Sequence, residues 1–462
     1  MFCKIFFDIL KDVIMKTRRL ILSSLKTRER LEYQDILNIY TSGCKEKSLH
    51  TIGLEYERLP ISMVTNQTVD YSAEFGVCNF LRAFAKSENW DYITDDYNII
   101  GLKQGHDTIT LEPGCQVELS VKPEKSIDLL KKKVDTLNSL MEPVLDKMGI
   151  TLLGYGVSPL STHKSINLLP KRRYGLMAKY LWGILSDVMM RETAGIQGCF
   201  DFVSEEDAVR KFKITNKLTP FVTAMFANSP IRGGVDTGYK SFRALSWLNT
   251  DNDRCGFAYK LGDEYSFDEY IDYVMNTPMI FISREDLPVN INGKITFKDF
   301  MKNGWEGFEP TLEDYLLQAN LCFPEVRLRN FIEIRNQDCG KKQTPYAVLA
   351  LYKGILQSES SMDEIEELLK PYNYNDFAEL RYNVPKNALS AKIAGDSVKD
   401  IVKEILYIAE KSLISENDGD EKYLDFIKEY SLQGITPADV IIRNWYGIWN
   451  KDIKKLVKYL SD

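Results

Sequence analysis

Histidine is scarce in this 462-residue chain, and the motifs of several common enzyme classes are missing. There are only three histidines, and the eight cysteines include no Cys-x-x-Cys pair, which excludes a zinc framework. No run approaches the roughly 18 apolar residues that a membrane-spanning helix needs, so the sequence predicts a soluble protein without a membrane partner. Neither G-x-x-x-x-G-K-[ST] nor a complete G-x-G-x-x-G is present, so a nucleotide would have to be bound by other means.

The charge balance is acidic and argues against nucleic acid as a partner. The formal net charge is −7, and a nucleic-acid-binding protein needs a strong basic field. Small molecules are therefore the expected ligands. Cysteines scattered through a long chain without a secretory signal usually remain thiols, and this pattern predicts a cytoplasmic location.

The segment His50–Pro60, HTIGLEYERLP, predicts a β-strand with one acidic face. Alternation places Glu55 and Glu57 on one side of the strand and Ile52 and Leu54 on the other. Two carboxylates at this spacing lie about 6 to 7 Å apart. They are too far apart to share a proton, and their separation suits the binding of different metal ions.

Two later segments repeat this design. In one, Glu112 precedes a Pro-Gly turn or bulge and Glu118 follows it; in the other, Glu333 and Arg335 alternate with apolar residues. Side by side, the three strands would form a sheet with an apolar back and a carboxylate-lined front. Hard oxygen ligands select Mg²⁺ or Mn²⁺, and Mg²⁺ usually bridges to the phosphates of a substrate such as a nucleotide. For each segment alone, a strand with a solvated polar face is the alternative.

Basic and aromatic side chains elsewhere are candidates for phosphate and substrate contacts. Lys171 and Arg173, in PKRRY, could clamp a phosphate or carboxylate, although a solvated basic loop is the alternative. Arg243 and Arg254 flank a loop-rich stretch that is too polar for a core, and arginine suits bidentate carboxylate contacts. Surface ion pairs are the alternative for these two arginines.

The sequence divides into three predicted regions of an α+β protein. A helical arm covers 1–45, a catalytic domain covers 46–346, and a helical region packed on that domain covers 347–462. The alternating segments predict a mainly antiparallel sheet with a metal-lined acidic face that helices cover.

Seven strings in the chain resemble plant-type glutamate–cysteine ligases in order and spacing. They are TIGLEYE, LEPGCQVELS, RRYGLM, QGCFDFVSEEDAVRKFK, FANSP, FRALSWLNTDNDRCG and PEVRLRNFIEIRNQDCG. That family belongs to the glutamine synthetase-like superfamily, whose metal-binding carboxylates also lie on such strands. The resemblance implies that ATP phosphorylates the side-chain carboxylate of L-glutamate, and that the amine of L-cysteine then attacks the acyl phosphate. The product would be γ-glutamylcysteine, the first intermediate of glutathione biosynthesis, made by a monomer or homodimer.

The strands and the resemblance together define the expected site. The predicted metal ligands for Mg²⁺ or Mn²⁺ are Glu55, Glu57, Glu112, Glu118 and Glu333. The predicted catalytic residues are Glu55, Glu333 and Arg335. The predicted nucleotide-binding residues are Lys171, Arg173, Gln197 and Arg335, and the predicted substrate-binding residues are Arg243, Trp247 and Arg254.

Two alternative functions stand beside this reaction, and departures in the motifs bear on the first of them. The family often has Gln-Val-Asn where this chain has Gln197-Gly198-Cys199, and Gly-Gly-Gln where it has Gly114-Cys115-Gln116. Such changes leave the carboxylates in place but bear on the amine acceptor, so a glutamate ligase that uses a different amine is one alternative. A non-catalytic descendant that binds nucleotide or metal is the other.

Overall fold

A computed structural model describes residues 31–258, 265–284 and 287–461 of the chain. Most of the predicted arm over 1–45 lies outside the described residues, and its described part contains helix α1. The helices in chain order are α1 Tyr33–Thr41, α2 Val77–Glu88, α3 Ile127–Met148, α4 Arg172–Tyr180, α5 Ser186–Glu192, α6 Glu205–Met225, α7 Phe242–Leu248, α8 Phe267–Asn276, α9 Phe297–Asn303, α10 Leu312–Asn320, α11 Thr344–Leu356, α12 Glu359–Leu369, α13 Tyr374–Asn387, α14 Val398–Glu416, α15 Asp425–Ser431, α16 Pro437–Tyr446 and α17 Ile453–Ser461.

The strands form one large sheet and several two-stranded ones. In chain order they are β1 Ile52–Ser62, β2 Asp91–Asp95, β3 Asn98–Gln104, β4 Asp107–Leu111, β5 Val117–Glu124, β6 Ile150–Leu153, β7 Gly195–Phe200, β8 Ile231–Arg232, β9 Val235–Asp236, β10 Cys255–Gly256, β11 Phe281–Arg284, β12 Leu287–Asn290, β13 Phe323–Pro324, β14 Val326–Leu328, β15 Ile332–Asp338, β16 Lys392–Ile393 and β17 Asp396–Ser397.

The large sheet has nine strands in the order β14-β15-β7-β1-β5-β4-β3-β2, with β6 pairing with β1 off this path. All of its neighbouring strands are antiparallel, which confirms the predicted α+β class with a mainly antiparallel sheet. The expectation that the three acidic segments lie side by side is wrong in one respect, because β7 separates β1 from β15. Alternation within a strand fixes its faces and carries no information about its neighbours.

The back of the sheet is apolar and is covered by helix α11. All of the side chains of α11 are buried. A Cβ at Gly198 on β7 would stand 2.9 Å from Leu349 on the helix, so the missing side chain allows the helix to approach closely. Ile196 and Ile334 on neighbouring strands are fully buried on this side. The packed back holds the strands in register and leaves the polar residues on the opposite face.

The chain is mostly helical from Thr344 onward, close to the predicted start of the helical region at 347. Residues of the sheet, such as Leu54 and Val117, share one hydrophobic cluster with Ile405 and Leu424 of the C-terminal region. The division at 346 remains a prediction from the sequence, and the two sides of it pack into a common core. No helix within the described ranges is long and apolar enough to cross a membrane.

The stretch Phe242–Gly256 is more regular than its loop-rich sequence suggests. Its first half is helix α7, and the Ser241 side chain accepts a hydrogen bond from the backbone N–H of Ala244 at the start of that helix. Such an N-cap offsets the shortage of acceptors for the first amides of a helix. Arg243 and Trp247 therefore project from a helix rather than from a loop.

Candidate active site

Strand register places the predicted acidic residues on one face of the sheet. Glu57 on β1 lies directly opposite Glu118 on β5, and Glu55 lies opposite Gln197 on β7. Glu333 is on β15, which pairs with the other edge of β7. Like charges directly opposite one another destabilise a sheet, so a pattern of this kind requires protons or cations at the face.

Burial and mutual repulsion raise the pKa of three carboxyl groups on this face. The pKa of Glu55 rises to about 7 through burial and then through the charge of Glu333. Burial, Glu55 and Glu112 hold the pKa of Glu118 well above its usual range, and burial followed by Glu112 raises that of Glu57. The β1 and β5 side of the face is thus short of positive charge.

Glu333 has the opposite electrostatic surroundings. Its carboxylate lies 3.4 Å from Arg327, 3.1 Å from Arg329 and in direct contact with Arg335. Burial opposes ionisation, but the three arginines outweigh it and lower the pKa of Glu333 to about 2. Glu333 is therefore ionised at neutral pH and holds the guanidinium of Arg335 at the front of the sheet.

Gln197 connects the two halves of the acidic face. Its side-chain amide donates to Glu57 at 2.9 Å, and its carbonyl oxygen accepts from Nη1 of Arg335 at 2.7 Å. The register of β15 against β7 shifts between Ile334 and Gln337. This bulge allows Arg335 to reach Gln197, as bulges next to active sites re-aim side chains.

Arg243 reaches the acidic face from helix α7 and depends on a glycine to do so. Nη2 of Arg243 donates to the backbone carbonyl of Arg335 at 2.9 Å. A Cβ at Gly195 on β7 would stand only 2.4 Å from that nitrogen, and the amide of Gly195 donates to Glu57. Burial lowers the pKa of Arg243, and the charge of Glu57 opposes this effect. Sequence reasoning missed Gly195, for which the only signal is a glycine at the start of an apolar strand.

Arg254 has no part in this face. It is fully buried, and its guanidinium bonds to Asp251 at 2.7 Å and to the carbonyls of Leu321 at 2.9 Å and Pro278 at 2.8 Å. The expectation that Arg254 lies in a stretch too polar for a core is therefore wrong. A buried charge is tolerated when it is paired and its donors are satisfied. The guanidinium of Arg254 is already bonded to Asp251 and to two backbone carbonyls, so we do not assign Arg254 to the site.

The basic segment at the start of α4 lies at the Glu112 end of the face. Lys171 is only 7% exposed, so the alternative of a solvated basic loop does not hold. Burial and then the charge of Arg173 lower the pKa of Lys171 to about 7, while Glu112 and Glu118 oppose the shift. Glu112 also favours the charged form of Arg173. Positive side chains thus stand beside the carboxylates at one end of the site.

The donor set on this face fits a hard divalent cation that is shared with a substrate. Among the described residues, no three His, Cys, Asp or Glu side chains are grouped so that they could hold a metal ion by themselves. Mg²⁺ usually binds one or two carboxylates together with water and substrate phosphates. Pairs such as Glu57 and Glu118, which lie directly opposite one another and offer only oxygen ligands, match that mode of binding.

Comparison with known proteins identifies the family of the chain. The model of glutamate-cysteine ligase family 2 matches residues 51–459. The chain belongs to this family. It is 32% identical over 431 residues to the chloroplastic glutamate–cysteine ligase of Medicago truncatula, covering 92% of this chain and 84% of the relative. Against the chloroplastic enzyme of Arabidopsis thaliana, the identity is 31% over 438 residues, covering 94% and 83%.

The fold of this glutamate–cysteine ligase family member also resembles a solved structure. A glutamate–cysteine ligase of Francisella tularensis, crystallised with AMP, aligns with a TM-score of 0.54 and 15% identity, covering 89% of this chain and 88% of that one. At this identity the likeness supports the fold alone. The family resemblance inferred from the seven strings is confirmed by the family model and by the curated relatives.

The prediction of a cytoplasmic location is wrong. The curated relatives are named chloroplastic enzymes, and they contradict it. Scattered thiols indicate reducing surroundings, and this pattern does not distinguish one reducing compartment from another.

Proposed function

We propose that this chain joins the γ-carboxylate of L-glutamate to the amine of L-cysteine in an ATP-dependent reaction. The proposal depends on one observation above all: the glutamates and the arginine that the family resemblance implies lie together on one face of the sheet. The similarity to curated glutamate–cysteine ligases over 92% of the chain supports the same reaction. The product, γ-glutamylcysteine, would feed glutathione biosynthesis.

The reaction consists of two substitutions. A γ-carboxylate oxygen of glutamate attacks the terminal phosphorus of ATP and ADP leaves, which gives γ-glutamyl phosphate. The neutral amine of cysteine then attacks the acyl carbon, the carbon–oxygen bond to phosphate breaks, and phosphate and a proton are released. Most of the catalysis in such transfers comes from positioning and from stabilisation of developing negative charge.

Acidic and basic residues at this face have different proposed roles. Glu55, Glu57, Glu112, Glu118 and Glu333 are the proposed ligands of Mg²⁺ or Mn²⁺, which when bound would neutralise charge on the transferred phosphoryl group. Arg335 is ion-paired to Glu333 and hydrogen-bonded to Gln197, and its proposed role is to stabilise the phosphates and the developing oxyanion. Lys171 and Arg173 supply positive charge for the nucleotide phosphates, and Arg243 and Trp247 form the substrate side.

An assay of the purified chain tests this function. ATP, Mg²⁺ and glutamate are supplied with cysteine or with each of a panel of other amines, and phosphate release and product mass are measured. We expect phosphate release that requires both amino acids and a product of the mass of γ-glutamylcysteine. A higher kcat/KM with another amine would assign a different acceptor, and no phosphate release with any amine would indicate a non-catalytic protein.

The lowered pKa of Lys171 predicts that ATP binding takes up a proton. In the ligand-free protein its pKa is about 7, so the amine is mostly neutral at pH 8, and bound triphosphate favours the ammonium form. The KM for ATP is therefore expected to rise as pH increases above 7. Calorimetry at pH 8 in buffers of different ionisation enthalpy measures the uptake. The proton uptake should disappear in both Lys171→Met and Lys171→Arg. Only the arginine variant should retain affinity for ATP. Equal uptake in the wild type and Lys171→Met would contradict the assignment.

The cysteines near the site are expected to be dispensable. The activated carboxyl is attacked by the substrate's amine, so no enzyme thiol has to form a covalent bond. Burial, followed by Glu55 and Glu333, raises the pKa of Cys199 well above its usual range, which leaves little reactive thiolate. Cys115→Ala and Cys199→Ala should each keep at least about a tenth of wild-type turnover, a barrier change of about 1.4 kcal/mol or less. A loss of about a thousandfold in either variant would show that the thiol takes part in the chemistry.

A further inference from the structure

A small pocket lies beside Arg335, where the catalytic sheet meets the C-terminal helices. It is bordered by β15, by α7, by the β10–β13 pair and by α13 of the C-terminal region. The lining side chains used below are Arg243, Trp247, Phe323, Glu325, Arg335 and Arg381. The pocket thus combines three guanidinium groups, one carboxylate and two aromatic rings, and it is continuous through Arg335 with the acidic face.

Two nitrogens at this pocket have unused hydrogen-bonding capacity. Arg243 is only 3% exposed, and within the described residues neither its Nε nor the indole nitrogen of Trp247 has a hydrogen-bond partner. A buried donor without a partner costs about 1 to 3 kcal/mol. Such donors are usually satisfied by a water molecule or a ligand, and here both belong to side chains that line the same pocket.

The ion pair between Glu325 and Arg381 forms another wall. The two side chains are in direct contact and are 15% and 13% exposed. The Arg381 guanidinium packs against Gly256, where a Cβ would stand 2.8 Å from it, and lies over the ring of Phe257 at 5.2 Å. A residue of the C-terminal region is therefore fixed against the catalytic region.

Glu325 is also fixed to the acidic face through the backbone. Its amide donates to the carbonyl of Gly256 at 2.8 Å, and its carbonyl accepts from the amide of Arg335 at 3.0 Å. The pocket and the face of the sheet are therefore parts of one rigid arrangement. A small molecule with one end in the pocket would have its other end near Arg335.

We infer that this pocket binds the α-carboxylate of an amino-acid substrate through Arg243 and Arg381, and that Glu325 receives the α-ammonium group where that group is not the one that reacts. The inference rests on the proposed function, because both proposed substrates are amino acids. Guanidinium groups suit bidentate binding of carboxylates, and Glu325 is the acidic residue of the pocket lining that could accept hydrogen bonds from an ammonium group. The C-terminal region would then supply a specificity residue, Arg381, to the catalytic site.

Substrate analogues identify which amino acid the pocket binds. 4-Aminobutanoate retains the reacting γ-carboxylate of glutamate but lacks the α-carboxylate, and cysteamine is the corresponding analogue of cysteine. For glutamate the α-amine is not the reacting group, so both Arg381→Gln and Glu325→Gln should reduce its binding. For cysteine the amine must be free to attack, so Arg381→Gln alone should have the larger effect.

We expect Arg381→Gln to lower kcat/KM for one of the two amino acids at least about tenfold, and that for its decarboxylated analogue by less than about twofold. The KM for ATP should change by less than about twofold. An equal loss for an amino acid and its analogue would mean that the ion pair is structural only, and this result would overturn the inference. A change confined to the KM for ATP would also overturn the inference.

Two further variants keep the result interpretable. Arg210 also joins the catalytic region to the C-terminal helices, through Glu359, Asp363 and Glu366. For glutamate and for cysteine, Arg210→Gln should leave kcat/KM unchanged relative to that of the decarboxylated analogue. If Arg381→Gln does not fold, the double variant Glu325→Gln/Arg381→Gln removes both charges without leaving one unpaired. Wild-type turnover is measured first, so a failure of the proposed function is seen separately. Calorimetric binding of glutamate and of 4-aminobutanoate then still tests the pocket.

Discussion

Replacing Glu55 by glutamine is expected to lower turnover by at least about a thousandfold, or about 4 kcal/mol in the barrier, in a protein that remains folded. The substitution removes a charge at nearly constant shape from a face where carboxylates repel one another. Burial and Glu333 raise the pKa of Glu55 to about 7. Because the folded state holds this proton more tightly than the unfolded chain, the stability of the metal-free protein falls as pH rises between about 4.5 and 7. In the glutamine variant this loss should be smaller by the contribution of Glu55, while Glu57 and Glu118 keep theirs.

Glu333→Gln provides the contrast, since it should lower both turnover and stability. The carboxylate is the counter-ion that Arg327, Arg329 and Arg335 share, and leaving buried charges unpaired costs about 3 to 5 kcal/mol. Thermal unfolding of both variants at pH 6 and pH 8, together with Mn²⁺ binding and turnover, separates the two effects. Near-normal turnover in both variants would reject the metal assignment. If both variants lose the same free energy of unfolding, the contrast drawn between Glu55 among carboxylates and Glu333 among arginines would be wrong.

Gly195→Ala is expected to lower turnover about a hundredfold, the size of effect that a displacement of about 1 Å can have on a positioned group. A methyl group at this position would stand 2.4 Å from Nη2 and 2.8 Å from Cζ of Arg243. That guanidinium is buried and hydrogen-bonded to the carbonyl of Arg335, so it has little room to move. Its displacement would also disturb Glu57, which accepts from the amide of Gly195.

Gly175 provides the matched control for this substitution. It lies in helix α4, close in sequence to Lys171, and a Cβ there meets nothing within 4 Å. Gly175→Ala should keep full turnover and raise the free energy of unfolding by about 0.5 to 1 kcal/mol, since alanine favours the helix. Unchanged kcat and KM in Gly195→Ala would show that Arg243 can move without cost, and would remove it from the site.

The acidic residues could be found from the sequence because a strand has a period of two. Glu55 and Glu57 have their side chains on one face of β1 wherever that strand is placed. Glu118 is assigned to the same face because the apolar residues that alternate with each glutamate identify the packed side. The order of distinct strings along the chain was sufficient to identify the family. These conclusions depend only on local geometry or on motif order, so they needed no tertiary contact.

The basic side chains could not be placed in this way. Arg243 and Arg254 flank the same polar stretch of sequence. Arg243 reaches the acidic face, whereas Arg254 bonds to Asp251 and two carbonyl groups in the interior. The role of an arginine depends on which acceptors surround it after folding, because burial is tolerated only where its donors find partners. Those partners come from distant parts of the chain.

By itself, the sequence determined the α+β class, the acidic face and the family of this protein, because these follow from alternation and from the order of motifs. The tertiary structure alone decided that β7 lies between β1 and β15, that Gln197 links Glu57 to Arg335, and that Arg381 of the C-terminal region reaches a pocket at the catalytic sheet. The physical reason is that strand order and ion pairing depend on contacts between segments far apart in the chain, and no local pattern specifies them.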